Sequence, residues 1–161
     1  MSMSFNMRSA GPEELIKITA DSSLQFVLGL EPYRFTDSSN YLSFFQDWHI
    51  IHYLFTDTLW DTSLPLGFIL GGKDWHSWDP SHEPLKVLDS QLVKEISEAL
   101  IAIDIDLILD RFKKREAVDS SGYFASIPET EFLSIMEEVE KITGFVSAAA
   151  ECGQAIVKEL G

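Results

Sequence analysis

The spacing of apolar positions changes several times along this chain, and each change marks a new element. In residues 3 to 8, Met3, Phe5 and Met7 alternate with Ser4, Asn6 and Arg8, the period of a half-buried strand. Gly11-Pro12-Glu13-Glu14 follows and predicts a short helix, with proline at the first helical position and acids on the positive end of the dipole. Asp21, Ser22 and Ser23 offer a fresh N-cap, and Leu24, Val27 and Leu28 share one side of a second brief helix that should end near Gly29. Residues 31 to 41, with Pro32 and the Asp37-Ser38-Ser39-Asn40 cluster, read as a loop. From Tyr41 to about Phe55, the recurrence of Phe44, Trp48, Ile51 and Phe55 predicts a helix. Ile50 and Leu54 lie on its other faces, so it should be buried over much of its circumference and central to the fold.

Pro65-Leu66-Gly67-Phe68-Ile69-Leu70-Gly71-Gly72 is a compact apolar run closed by a glycine pair, which by length and punctuation is a buried strand. A loop with several aromatics runs from Lys73 to Glu83, and Leu85 to Leu88 adds a short strand. Asp89 then caps a clear helix, because Leu92, Val93, Ile96, Leu100 and Ile103 form an apolar stripe against Lys94, Glu95, Ser97 and Glu98. Asp104 caps a further short helix through Leu107, Ile108 and Phe112, followed by Lys113-Lys114-Arg115. Residues 116 to 127 read as a loop. Pro128 opens a long helix carrying Phe132, Ile135, Met136, Val139, Ile142, Phe145, Val146 and Ala149. Gly144 is where it should bend, at about 1 kcal/mol relative to alanine, and Gly153 closes it. Gln154 to Leu160 fits a terminal strand with imperfect alternation.

The fold class that results is α+β: a single domain over residues 1–161, with a small sheet of three or four short strands packed with five or six helices. Strands at both chain termini invite pairing in one sheet, since an unpartnered terminus frays. No repeat, low-complexity tract or linker divides the chain.

Composition narrows the function classes. The chain has 161 residues, 45% of them hydrophobic, and a formal net charge of −14. It is too apolar to be disordered, and its acidity argues against nucleic acid or an anionic membrane as partner. The N-terminus shows no export signal. Apolar stretches such as Phe26 to Leu28 and Ala99 to Ile103 fall far short of the ~20 residues that cross a bilayer. Cys152 is the only cysteine, which suits a reducing cytoplasm.

Several segments, in order, resemble the YfbM-like family, a bacterial domain of unknown function. They are the opening Met-Ser-Met strand with Pro12-Glu13-Glu14-Leu15, the Trp48-His49-x-x-His52 helix and Pro65-Leu66 leading into Leu70-Gly71-Gly72. The helix Val93 to Leu100 and the last helix, turning at Gly153 into an apolar tail, complete the set. The resemblance implies a small α/β domain of about this length and brings no activity, cofactor or catalytic residue. Where family members tend to have a Tyr-Pro element, this chain has Asp119-Ser120-Ser121-Gly122-Tyr123-Phe124, and where they often have Leu-Thr-Gly it has Phe55-Thr56-Asp57. Both departures fall in predicted loops and mark a divergent member.

Candidate chemistry is concentrated. All four tryptophans (Trp48, Trp60, Trp75, Trp78) and all four histidines (His49, His52, His76, His82) lie between residues 48 and 82. His49 and His52 are three apart and share a helix face, a spacing that can present two imidazoles to one metal. A third ligand would have to come from Asp57, Asp61, His76, Asp79 or His82, and no HExxH pattern fixes one. The competing reading puts one histidine in the core with a hydrogen-bond partner and the other at its edge. In the loop from Lys73 to Glu83, Trp75, His76 and Trp78 form either a contact loop, since tryptophan is enriched at binding hot spots, or a lid folded over the protein's own core.

Other chemistry finds little support. Cys152 sits at the C-terminal end of a predicted helix, the wrong end of the dipole to stabilise a thiolate, and reads as inert. There is no G-x-S-x-G elbow, and Gly71-Gly72-Lys73 lacks a phosphate-loop pattern. Asp104, Asp106 and Asp110 are accounted for by capping and solvation.

Two function classes therefore stand. The first is a cytoplasmic interaction module whose binding surface includes Trp48, His49, His52, Trp75, His76 and Trp78, with an inhibitor or immunity protein as one form of it; no cofactor or metal is assigned. Between Glu31 and Leu85 there are eight acids against two bases, so the expected partner is a basic protein or cationic ligand, with affinity falling as salt rises. The alternative is a small metal-assisted hydrolase using His49 and His52.

Overall fold

The computed structural model describes residues 4–20, 41–44, 47–75 and 85–161. The brief helix predicted over 21–29, the loop over 31–40 and most of the aromatic loop, residues 76–84, lie outside the described residues.

Among the described residues, five strands form one antiparallel sheet: β1 (Phe5–Ala10), β2 (Tyr41–Phe44), β3 (Lys73–Asp74), β4 (Lys86–Leu88) and β5 (Ala155–Leu160), in the order β2-β1-β5-β4-β3. The two terminal strands do pair, from Phe5 opposite Leu160 to Ala10 opposite Ala155. Reciprocal backbone bonds between Ser4 and Gly161 extend the ladder. This makes β5 the central strand, with Lys86 of β4 facing Lys158 on its other side. In β1 the predicted alternation holds with Phe5 and Met7 buried; the strand runs on to Ala10, past the expected end at residue 8, and Met3 lies outside the described residues.

Among the described residues the strand count exceeds the expected three or four: β2 and β3 are both unpredicted strands, β3 forming by pairing with β4 at the start of the expected 73–83 loop, while one predicted strand is lost. The apolar spacing predicts that residues 41–44 belong to the helix containing Trp48, yet they form β2. Tyr41 and Ser43 project to one side, where both hydroxyls donate to Asn6 Oδ1 at 3.0 and 2.6 Å, so pairing with β1 outweighs the local helical pattern. Conversely, the apolar run from Pro65 to Gly72 is not a strand; Leu66–Ile69 is a turn of 3-10 helix. Its glycines mark close backbone approach: a Cβ on Gly67 would lie 2.7 Å from the Asp61 carbonyl oxygen, and one on Gly71 would lie 2.4 Å from that of Thr62.

Among the described residues there are five α-helices: α1 (Pro12–Ala20), α2 (Trp48–Thr56), α3 (Ser90–Ala102), α4 (Ile105–Val118) and α5 (Phe132–Glu151). Caps and stripes follow the sequence closely. Asp89 Oδ1 accepts from Leu92 N–H at 2.8 Å, and Asp104 Oδ1 from Asp106 N–H at 2.9 Å. α4 is longer than predicted and includes the basic run; Arg115 turns inward, donating to the Phe112 and Ile127 carbonyls with its guanidinium over the Phe112 ring. α5 starts after a 3-10 turn at Glu129–Glu131 and runs unbroken through Gly144. It buries Ile135, Val139, Ile142, Val146 and Ala149. It ends in a Schellman motif: Gly153, at φ +64°, donates to the Ala150 carbonyl and Gln154 to that of Ala149.

α3 packs on α5 and both reach β5, while α2 packs on α4 and the 3-10 turn. One contiguous core joins these helices to the sheet face carrying Phe5, Met7, Leu88 and Ile156. α2 is buried from Ile50 to Phe55, with Trp48 buried at its start, the all-round burial its composition predicts. No helix among the described residues is long and apolar enough to cross a membrane.

Candidate functional site

α2 places the Trp-His-x-x-His element at the edge of the core. Trp48 is buried and stacks on His49 with ring centroids 4.9 Å apart. On its other sides, the His49 ring meets Trp60 at 4.8 Å and the edge of Phe124 at 5.2 Å, and Nε2 donates to the Leu59 carbonyl at 3.3 Å. Burial lowers the pKa of His49, opposed by that carbonyl and by Asp119. Trp60 belongs to the tryptophan–histidine cluster of the sequence and lies outside the expected binding surface. It completes the stack and remains 66% exposed.

His52, one helical turn on, is fully buried, and neither ring nitrogen has a hydrogen-bond partner. Burial first, and then His49, push its pKa down to about 4. The two histidines therefore divide into one at the edge and one in the core, but the hydrogen bond belongs to the edge residue. Among the described residues, no group of three or more His, Cys, Asp or Glu is placed to hold a metal ion. Asp57 is exposed, and Asp61 turns to the Ser63 N–H at 2.8 Å.

The remaining sequence-predicted residues separate from this cluster. Trp75 follows β3 at the sheet edge, half-buried, its N–H donating to the Leu85 carbonyl at 2.7 Å, without ring contact to Trp48, His49 or Trp60. His76 and Trp78 lie outside the described residues, as do Asp79 and His82.

The structure adds a residue that sequence reasoning missed. Behind Trp60 is a half-open cavity of about 240 Å³, walled by Trp60 and Thr62, the apolar Ile69 and Leu70, and the two cross-strand lysines Lys86 and Lys158. Lys158 is 3% exposed on the core-facing side of the central strand, and its ammonium donates to the Ile69 carbonyl at 2.8 Å. Burial, reinforced by Lys86, pulls its pKa down to about 7. The signal was present as the imperfect alternation of β5: a lysine at a position where the strand's period calls for an apolar side chain.

The architecture is that of a mixed α+β domain built on an antiparallel sheet that joins both ends of the described chain. The chain belongs to the family described as domain of unknown function DUF1877, whose family model matches residues 1–158. The crystal structure of YfbM from Escherichia coli, a protein of unknown function, is similar over 100% of both chains, with a TM-score of 0.66 and 17% sequence identity. At that identity the likeness is one of fold, and it bears out the YfbM-like resemblance. No curated protein matches the sequence.

Proposed function

We propose that this domain is a protein-interaction module of the cytoplasm that offers an acidic, aromatic surface to a basic partner protein. The observation that carries this reading is Trp60: a tryptophan left 66% exposed, held in place by the His49 ring beneath it and flanked by Asp57 and Asp61. Exposed indoles held rigid by their neighbours are favoured anchors at interfaces, because little side-chain entropy remains to be lost on binding. The −14 net charge steers a basic surface toward it and repels nucleic acid and anionic membranes. Inhibition of a basic enzyme, in the manner of an immunity protein, fits these properties.

The test is co-purification from the native cytoplasm with wild type and Trp60→Ala. A basic partner retained in stoichiometric amount by the wild type, released at roughly 0.5 M salt and lost with Trp60→Ala, is the expected result. Absence of any stoichiometric partner, or equal retention by the variant, overturns the reading.

A further inference from the structure

Lys158 occupies a position where an apolar residue would stabilise the fold. Its neighbours on the same sheet face are Met7 in β1 and Ile156 in its own strand, both buried. Among the described residues the ammonium has the Ile69 carbonyl as its one hydrogen-bond acceptor, and it lies 5.9 Å from the Phe5 ring. No carboxylate among the described residues is within ion-pair distance of it. Asp74 instead pairs with Lys86 at 3.3 Å. An ammonium has three donors, so burial here leaves hydrogen-bonding capacity unused next to an open cavity. Burying a cation without a counter-ion is among the least favourable arrangements a core accepts, and violations of this kind concentrate at functional sites.

We propose that the cavity behind Trp60 is a binding site for a small monocarboxylate, whose carboxylate lies between Lys158 and Lys86 and whose short apolar body lies against Ile69, Leu70 and the Trp60 indole. Charge selects the class. Lys86 is already partly neutralised by Asp74, so the site offers close to one net positive charge when Lys158 is protonated, which matches a monoanion and leaves a dianionic phosphate overcharged. Size selects the scale, since about 240 Å³ lies below the range that holds drug-sized ligands. The groups that bear on Lys158 are Lys86 and, at longer range, Asp74 from the sheet, His52 from α2 and the Ile69 carbonyl from the 3-10 turn. A carboxylate is the counter-ion this set lacks, and it favours the ammonium form. Binding is therefore coupled to proton uptake at Lys158: affinity is flat on the acid side of neutrality and weakens toward a limit of about tenfold per pH unit above it.

Butyrate is the probe, with neutral butyramide as its isostere. In the full chain carrying carbon-13 lysine, butyrate is expected to shift the Cε resonances of Lys158 and Lys86 saturably. Its dissociation constant should be weaker at about pH 8.5 than at about pH 6.5, and butyramide should do neither. Lys158→Met is expected to abolish binding and the exposed Lys141→Met to preserve it. Should Lys158→Met fail to fold, the wild-type Lys158 resonance still decides. A Lys158 signal unmoved by butyrate, equal effects of butyramide, or binding that persists in a folded Lys158→Met overturns the proposal.

Discussion

His52 brings both ring nitrogens into the core without a hydrogen bond to either. A buried polar group left in this state costs about 1–3 kcal/mol relative to an apolar one of similar shape, so His52→Leu is expected to raise stability at neutral pH by about 1–2 kcal/mol. The pH dependence has a definite sign. The folded-state pKa is about 4 against 6.5 for the free side chain, so between those values the unfolded chain binds the extra proton and acid destabilises the fold. The full shift corresponds to on the order of 3 kcal/mol. Urea unfolding at neutral pH and near pH 4 checks this: the advantage of His52→Leu over wild type should widen as the pH falls, and a constant difference would show that His52 titrates normally. The sequence pattern places His52 on the helix and on one face with His49. Its depth and lack of partners were not legible there, because both depend on what packs from other elements.

Between α4 and α5, a turn positions part of the aromatic stack. Asp119 accepts from Ser121 N–H and hydroxyl at 2.9 and 2.7 Å and from Phe124 N–H at 2.9 Å. Phe124, fixed in this way, meets both His49 and Tyr53. These bonds, led by that from the Ser121 side chain, lower the Asp119 pKa. The stabilisation is present above the ordinary carboxylate range and lost as pH falls through the lowered value. Asp119→Ala should cost about 1–3 kcal/mol and alter the near-ultraviolet circular dichroism of the stacked tryptophans, while Asp119→Asn should keep part of both. An unchanged spectrum in Asp119→Ala would mean that Phe124 is held by packing alone. This turn coincides with a departure from the YfbM-like pattern, and its capping role is local chemistry that the Asp-Ser-Ser-Gly sequence contains. What sequence misjudged at this scale were β2 and the 3-10 turn. In both, short apolar runs fit more than one period, and the decision rests on distant partners, Asn6 for Tyr41 and Ser43, and the Asp61–Thr62 backbone for Gly67 and Gly71.

Across the whole molecule, the charge of −14 acts as self-repulsion that opposes the compact state. Neutral salt should therefore raise the melting temperature between roughly 0.01 M and 0.15 M, where the screening length falls from about 30 to about 8 Å. A melting temperature that is flat or falls over that range would show that attractive pairs, such as Lys114–Asp110 and Lys141–Glu138, outweigh the excess of acid. The amino-acid sequence by itself determined the charge, the mixed α+β class, the pairing of terminal strands, the caps of α3 and α4 and the stripe of α5. The charge, class, caps and stripe follow from composition and from contacts only a few residues apart, and the terminal pairing follows from the need of two strand-forming ends for a partner. Only the tertiary structure decided which strand is central, which histidine is buried, and that Trp60 and Lys158 share a cavity, since residues 98 apart in the chain become neighbours only when β5 packs against the segment holding Trp60 and the 3-10 turn. The lysine's break in the alternation of β5 is the one local trace of this arrangement; that Lys158 is buried and Trp60 exposed depends on what the rest of the chain places around them.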